Sequence, residues 1–165
     1  MAESFSFDVV SDFDRQELVN TLDQVKREIS QRYDLKGTDT SVNLEKENIF
    51  IITNSELTLN AVNDIIRQKA IKRNLSLKIF DYGDIEIVSG NRIKQTILLK
   101  QGIKQEIAKK ISKNIRDQIK KINVIINGET LRVASKSKND LQSAIKLVSE
   151  LEETLNIPLK TNNFR

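Results

Sequence analysis

The chain has 165 residues, 38% of them apolar, and a net charge of +4, which suits a globular protein of one ordinary domain or two small ones. Cysteine and histidine are both absent, which excludes disulfides, thiolate nucleophiles, structural zinc sites and an imidazole base, so we expect neither an enzyme nor a bound cofactor or metal. No apolar run is long enough to span a bilayer and the N-terminus lacks a leader pattern, so a cytoplasmic location without a membrane partner is expected.

Hydrophobic periodicity predicts the element order β-α-β-β-α-β in each half of the chain, which is the order of two ferredoxin-like domains in an α+β fold. We assign residues 1–90 to the first domain and residues 91–165 to the second. The first-half elements are strands at 5–9, 41–45, 48–53 and from 77, with helices from 14 to about 36 and from about 56 to 73. The second-half elements are strands at 93–100, 122–127, 131–134 and 158–162, with helices from about 103 to 119 and from 137 to about 156.

The junction between the halves predicts an exchange of strands. Only the loop Ser89-Gly90-Asn91-Arg92 separates the strand at 84–88 from the strand at 93–100, and a loop of this kind suits a tight hairpin. Hairpin strands pair antiparallel, as do the first and last strands of a ferredoxin-like sheet. We therefore expect the strand at 93–100 to pair in the N-terminal sheet and the strand at 4–10 to pair in the second sheet.

Six short blocks resemble the YajQ family of small bacterial proteins. They are SFDVVS at 6–11, RYDLKGTD at 32–39, RQKAIKR at 67–73, LKQGI at 99–103, AKKI at 108–111 and NNFR at 162–165. Tyr33 and Leu35 replace expected phenylalanines without disturbing the match. The resemblance implies two ferredoxin-like domains with exchanged N-terminal strands. It also implies a nucleotide-binding protein associated with ATP or GTP, with tRNA, and in some bacteria with cyclic di-GMP and transcriptional control, but it implies no set of binding residues.

Positive charge is concentrated late in the chain. Residues 91–165 carry 16 basic and 7 acidic residues, whereas residues 1–90 carry 11 and 16, which points to an anionic partner. The predicted helix at 103–119 has a basic stripe nearly opposite its isoleucines. Four like charges on one face repel each other, and a bound phosphate backbone explains them as well as a plain solvated face does. The stripe consists of Lys109, Lys113, Arg116 and Lys120.

The stretch LLKQGIKQEIAKKI at 98–111 runs from a strand through Gly102 into this helix. If the helix starts near residue 103, its free N–H groups and its dipole favour an anion beside Gly102, within reach of Lys100 and Lys104. A glycine that only makes the turn and a solvated lysine explain the same residues, and no phosphate-loop motif occurs in the chain. One polar strip of the preceding strand could also carry a nucleotide; it consists of Lys94, Thr96 and Lys100.

These observations favour a non-enzymatic nucleotide- or RNA-binding protein. Its ligand would be GTP, ATP, cyclic di-GMP or an RNA such as tRNA, and it would serve as an effector sensor or an RNA-associated factor. The alternative is a protein–protein interaction module that uses apolar sheet faces and has no physiological nucleotide. A metal-dependent phosphoesterase is supported only by loose acidic pairs such as Asp12 with Asp14. The predicted phosphate-binding residues are Lys94, Lys100, Gly102, Lys104, Lys109, Lys113, Arg116 and Lys120.

Overall fold

A computed structural model describes residues 4–165. Its described part has two four-stranded antiparallel sheets, four α-helices and a 3-10 turn at Leu77–Ile79, so the predicted mixed α+β fold is confirmed and is consistent with two ferredoxin-like domains. The elements are β1 (Phe5–Val10), α1 (Arg15–Gln31), β2 (Ser41–Glu45), β3 (Asn48–Thr53), α2 (Glu56–Lys72), β4 (Phe80–Val88), β5 (Arg92–Leu99), α3 (Gln105–Gln118), β6 (Asn123–Asn127), β7 (Thr130–Ser135), α4 (Lys138–Leu155) and β8 (Lys160–Asn162). No helix in this part of the chain is both long and apolar enough to cross a bilayer.

The chain divides into two compact units. Unit 1 comprises the described residues up to Asp12 together with 101–165, and unit 2 comprises residues 13–100. The sheet of unit 1 has the strand order β6-β7-β1-β8, and the sheet of unit 2 has the order β2-β3-β5-β4. In unit 2, β4 and β5 form an antiparallel hairpin in which Val88 lies opposite Arg92.

In unit 2, α1 and α2 supply the apolar residues that cover the sheet. Both helices begin with a side-chain cap, Asp14 for α1 and a Ser55–Thr58 capping box for α2, so their first N–H groups are satisfied. Alternate residues of β3 and β5 point into the core, where Ile49 and Ile97 are fully buried. The core of unit 2 is therefore apolar on the face that its helices cover.

In unit 1, α3 buries the face that the sequence predicted. Ile103, Ile111 and Ile115 are at most 1% exposed and Ile107 is half-buried. The predicted bounds 103–119 were too wide, because α3 runs from Gln105 to Gln118. The helix starts later because Gly102 has a φ of +81° and Lys104, the N-cap residue, has an extended backbone with a ψ of 152°.

One corner of the fold occurs in both units and corresponds residue for residue. The hairpin β2-β3 opens with Ser41 opposite Ile52, and the hairpin β6-β7 opens with Asn123 opposite Ala134. The helix after each hairpin begins at an equivalent serine cap, Ser55 or Ser137. Positions 41–58 of unit 2 therefore align without a gap with positions 123–140 of unit 1. Counting back from β2 and β6 pairs 38–40 with 120–122, although the connections there differ in length. This correspondence provides an internal comparison for the site described next.

Candidate anion-binding site

The basic stripe follows α3 but extends past its end. Lys109, Lys113 and Arg116 lie on the exposed side of the helix, whereas Lys120 lies in the turn that leads to β6. Among residues 4–165, no carboxylate lies within ion-pair distance of these four side chains. The only side-chain hydrogen bond among them in that part of the chain joins Arg116 Nε to the Ser112 carbonyl, at 3.4 Å. The stripe therefore carries positive charge that the described protein does not neutralise.

The turn at Gly102 is held by contacts within unit 1. The N–H of Gly102 donates to the Ser11 carbonyl at 2.6 Å, and the N–H of Ile103 donates to the Glu129 carbonyl at 2.9 Å. Gly102 has a φ of +81°, and a Cβ at this position would collide with the Glu129 carboxylate. Lys104 is the N-cap residue of α3 and makes no capping hydrogen bond through its side chain. A phosphate beside Gly102 stays a prediction, and it would lie next to the Glu129 carboxylate.

The two remaining predicted residues belong to unit 2. Lys94 is half-buried on β5, with its Nζ 4.7 Å from the centre of the Phe50 ring, a cation–π contact. Lys100 follows β5, and its N–H donates to the Ile79 carbonyl at 2.8 Å. The predicted site residues are thus divided between the units, and only those on α3 and in the turn after it form a continuous group.

Unit 1 contains a cleft of about 520 Å³ between the turn after α3 and the start of α4. We call it the lysine cleft, because three of its lining residues are lysines. Its charged lining residues are Lys120, Lys121, Lys136 and Asp140. The other residues that line it are Ser4, Ile122, Asn123, Ala134, Ser135 and Ser137. The lysine cleft therefore combines an apolar wall with an excess of positive charge.

A buried serine fixes the two turns that carry these lysines. Ser135 Oγ donates to the Lys121 carbonyl at 3.2 Å and accepts the N–H of Ser137 at 3.1 Å. Ser137 Oγ in turn accepts the N–H of Asp140 at 3.2 Å, which caps α4. Because these bonds tie the turn before β6 to the turn before α4, the backbone that presents the lysines is held in place before any ligand arrives.

Two other clefts have less excess charge. A cleft of about 420 Å³ in unit 1 shares Lys120 and Asp140 with the lysine cleft and adds Lys146 and Glu150, so its lysines and carboxylates balance. The charged lining residues of a cleft of about 300 Å³ in unit 2 are Lys26, Lys36 and Asp39. Of the three, the lysine cleft is the one best suited to an anion.

Two aspartates of unit 1, Asp8 and Asp12, have side-chain partners. Asp8 accepts hydrogen bonds from Asn163 Nδ2 at 2.8 Å and Arg132 Nε at 3.2 Å, and these two contacts lower the pKa of its carboxyl. Asp12 Oδ1 lies 3.3 Å from Lys160 Nζ, an ion pair. Within residues 4–165 no group of three or more carboxylates could hold a metal ion.

Sequence comparison identifies the family to which the chain belongs. Residues 5–165 match a family described as nucleotide-binding protein YajQ-like. Relatives of equal length include nucleotide-binding proteins of Prochlorococcus marinus strain AS9601, 94% identical, and of strain CCMP1986, 81% identical, each aligned over all 165 residues. A nucleotide-binding protein of Parasynechococcus marenigrum strain WH8102 is 57% identical over the full length of both chains. The resemblance inferred from six sequence blocks is thereby confirmed, and the chain belongs to the YajQ family.

Proposed function

We propose that this protein is a non-enzymatic, cytoplasmic nucleotide- or RNA-binding protein that holds phosphate groups with the basic region 94–120. The observation that carries the proposal is the row of cations on and after α3 that have no carboxylate partner in the described chain. Unpaired cations on one face contribute little to the stability of the fold. They contribute strongly to the affinity for a polyanion, because its counterions are released on binding. The names of the relatives point to the same class of ligand.

The ligand classes that fit are GTP, ATP, a cyclic dinucleotide such as cyclic di-GMP, and RNA such as tRNA. All of them present several phosphate charges, which is what the stripe can recognise, because lysine contacts phosphate as a point charge rather than reading a base. Control of transcription or of RNA metabolism would follow from binding and not from turnover. The protein is expected to leave added GTP unhydrolysed.

The proposal includes the exchange of first strands between the two domains. Its support is that β1 pairs with β7 and β8, and that β5 pairs with β3 and β4. Each sheet would then contain a strand from the other half of the chain, and domains of residues 1–90 and 91–165 would unfold together. A single cooperative transition in urea, seen by two probes, is expected; limited proteolysis near Gly90 that releases two stable halves would contradict it.

Titration tests the binding function. The full chain is titrated with GTP, cyclic di-GMP and a short single-stranded RNA at two salt concentrations, beside a variant in which the four stripe residues are changed to glutamine. Saturable binding that weakens with salt and is lost in the variant is the expected result. Absence of binding to all three ligands would overturn the proposal. The glutamine residues of the variant are Lys109→Gln, Lys113→Gln, Arg116→Gln and Lys120→Gln.

A second candidate is an interaction module that docks a protein through apolar sheet surface. The observation in its favour is that Leu98 and Ile125, which lie on sheet strands, are 43% and 51% exposed. Apolar docking depends little on ionic strength, whereas phosphate binding weakens steeply. A partner that stays bound in high salt and is released by Leu98→Ser would favour this candidate over the first.

A further inference from the structure

The hairpin and the helix cap beside the lysine cleft have an equivalent in unit 2, which provides an internal comparison. At the positions that correspond to Lys120, Lys121 and Lys136, unit 2 has Thr38, Asp39 and Asn54. The two corners have the same strand register and the same capped helix start. The turn after the third strand therefore forms without lysine, because unit 2 builds it with Asn54. The connection before the second strand differs between the units, with nine residues (32–40) in unit 2 and four (119–122) in unit 1.

The lysines of unit 1 also do not stabilise the fold through ion pairs. No carboxylate lies within ion-pair distance of Lys120, Lys121 or Lys136 in the part of the chain that the structure describes, although Asp140 lines the same cleft. Three neighbouring ammonium groups repel one another, which costs free energy in the empty protein. An anion held among them would remove that repulsion and gain the attraction of all three.

The dimensions of the cleft suit a free nucleotide. Its volume of about 520 Å³ lies within the range of about 300–1,000 Å³ that is usual for small-molecule sites. Ile122 provides an apolar surface on which a base can pack, and the lysines provide compact charges for phosphates. The amino end of α4 opens into the same cleft and adds to the positive potential.

We infer that the lysine cleft binds a free nucleoside di- or triphosphate, with its phosphate chain among Lys120, Lys121 and Lys136 and its base against Ile122. This inference rests on the proposed function and locates nucleotide binding in the lysine cleft. The lysines of the α3 stripe that lie outside the cleft, Lys109 and Lys113, then raise the local concentration of anions without contacting the nucleotide. Lys120, Lys121 and Lys136 are the residues that contact its phosphates.

Two matched pairs of substitutions distinguish lysines that contact the nucleotide from lysines that only attract it at long range. K121Q/K136Q removes two charges from the cleft, and K109Q/K113Q removes two charges from the stripe, so both variants have the same net charge and both retain Lys120. GTP, ATP and sodium triphosphate are titrated into the full-length protein and both variants by calorimetry. We expect K121Q/K136Q to weaken GTP and ATP binding at least tenfold and K109Q/K113Q to weaken it less than twofold. Equal losses in the two variants would overturn the inference.

The experiment distinguishes failure of the cleft from failure of the proposed function. Wild-type protein that binds the short RNA but none of the three titrants would overturn the cleft and leave the proposed function standing, whereas protein that binds neither would overturn both. Thermal unfolding of each variant shows whether it folds. An independent readout is the amide NMR spectrum of the wild-type protein with GTP, where shifts at residues 134–140 are expected, and shifts confined to 105–118 would contradict the assignment.

Discussion

Units 1 and 2 treat their common corner in opposite ways. In unit 2 the hydroxyl oxygens of Thr38, Thr40, Thr53 and Thr58 form a chain, with successive separations of 2.7, 2.8 and 2.8 Å. The equivalent positions in unit 1 are Lys120, Ile122, Ser135 and Asp140, of which Ser135 alone joins the two turns. In unit 2 the polar side chains of the corner hydrogen-bond to one another. In unit 1 charged side chains of the corner line a cleft. The corner of unit 2 is therefore linked by a chain of hydroxyl groups, whereas the corner of unit 1 carries three exposed lysines.

The helices of the two units differ in the same sense. In unit 2, Arg67 lies 2.9 Å from Asp64, and Lys69 lies 3.3 Å from Glu28. Within the described chain the α3 cations of unit 1 have no such partner. Arg132 shows that unit 1 does pair a cation in its sheet, since its Nε lies 3.2 Å from Asp8. Unit 1 therefore pairs the cation of its sheet and leaves those of α3 and the lysine cleft unneutralised within the described chain.

The largest expected effect comes from giving unit 1 the corner residues of unit 2. In the variant K120T/K121D/K136N, two positive charges are lost and a third is reversed, so GTP affinity should fall about 50-fold, or about 2.3 kcal/mol. Stability should change by less than about 1 kcal/mol, because all three lysines are exposed and have no ion-pair partner in the described chain. Calorimetry and a urea titration measure the two quantities. Unchanged GTP affinity in a folded variant would show that the three lysines do not bind the nucleotide.

A matched pair of hydroxyl deletions tests whether the two corners have different purposes. Thr53→Val leaves Thr40 and Thr58 each without one partner, and Ser135→Ala releases the Lys121 carbonyl and the Ser137 N–H. Each should lower the free energy of unfolding by about 1–2 kcal/mol. Only Ser135→Ala should also weaken GTP binding, by several-fold, because it loosens the turns that carry the lysines. A loss of GTP affinity of similar size in Thr53→Val would contradict this separation.

Most of the fold could be predicted from periodicity and caps, because both are local. The isoleucines of α3 occupy one helical face, and Ser137 caps α4 as the sequence indicated. The turn at Gly102 was less tractable, because its N–H donates to Ser11 and its neighbour is the Glu129 carboxylate. Both residues are distant in sequence, and a reading along the chain does not bring them together.

The candidate site could be predicted only in part, for a related reason. Spacing along α3 led to Lys120, which does line the cleft, whereas Lys121 was outside the stripe and Lys136 follows a later strand. A usable signal was present: in a β-α-β-β-α-β domain the turn before the second strand and the turn after the third strand meet at one end of the sheet. Basic residues in those two turns can therefore be expected to lie close together.

Removal of the carboxylate that lines the lysine cleft should have a smaller effect of opposite sign. Asp140→Asn takes away the negative charge closest to the lysines in the cleft lining, so GTP binding should tighten about threefold. The same change should cost about 0.5 kcal/mol of stability, since a negative charge in the first turn of α4 favours the helix dipole. Titration with GTP and urea unfolding give both numbers. Weaker binding in Asp140→Asn would contradict the repulsion on which this expectation depends.

The smallest effect concerns Asp8, whose contacts mark the limit of the unneutralised charge in unit 1. Hydrogen bonds from Asn163 and Arg132 lower its pKa, so ionised Asp8 stabilises the fold at pH values above about 3.9, the ordinary value for aspartate in an unfolded chain. That stability is lost as the pH falls through the lower pKa of the folded state. Wild type should therefore exceed Asp8→Asn in stability by less than about 1 kcal/mol from about pH 5 to pH 7, with the difference shrinking below about pH 4. Urea unfolding across this range measures the difference, and GTP affinity at neutral pH should be equal in the two proteins. A change in GTP affinity would show that the charge of Asp8 alters the electrostatic potential in the lysine cleft. The charges of the sheet and of the cleft would then act together on the ligand.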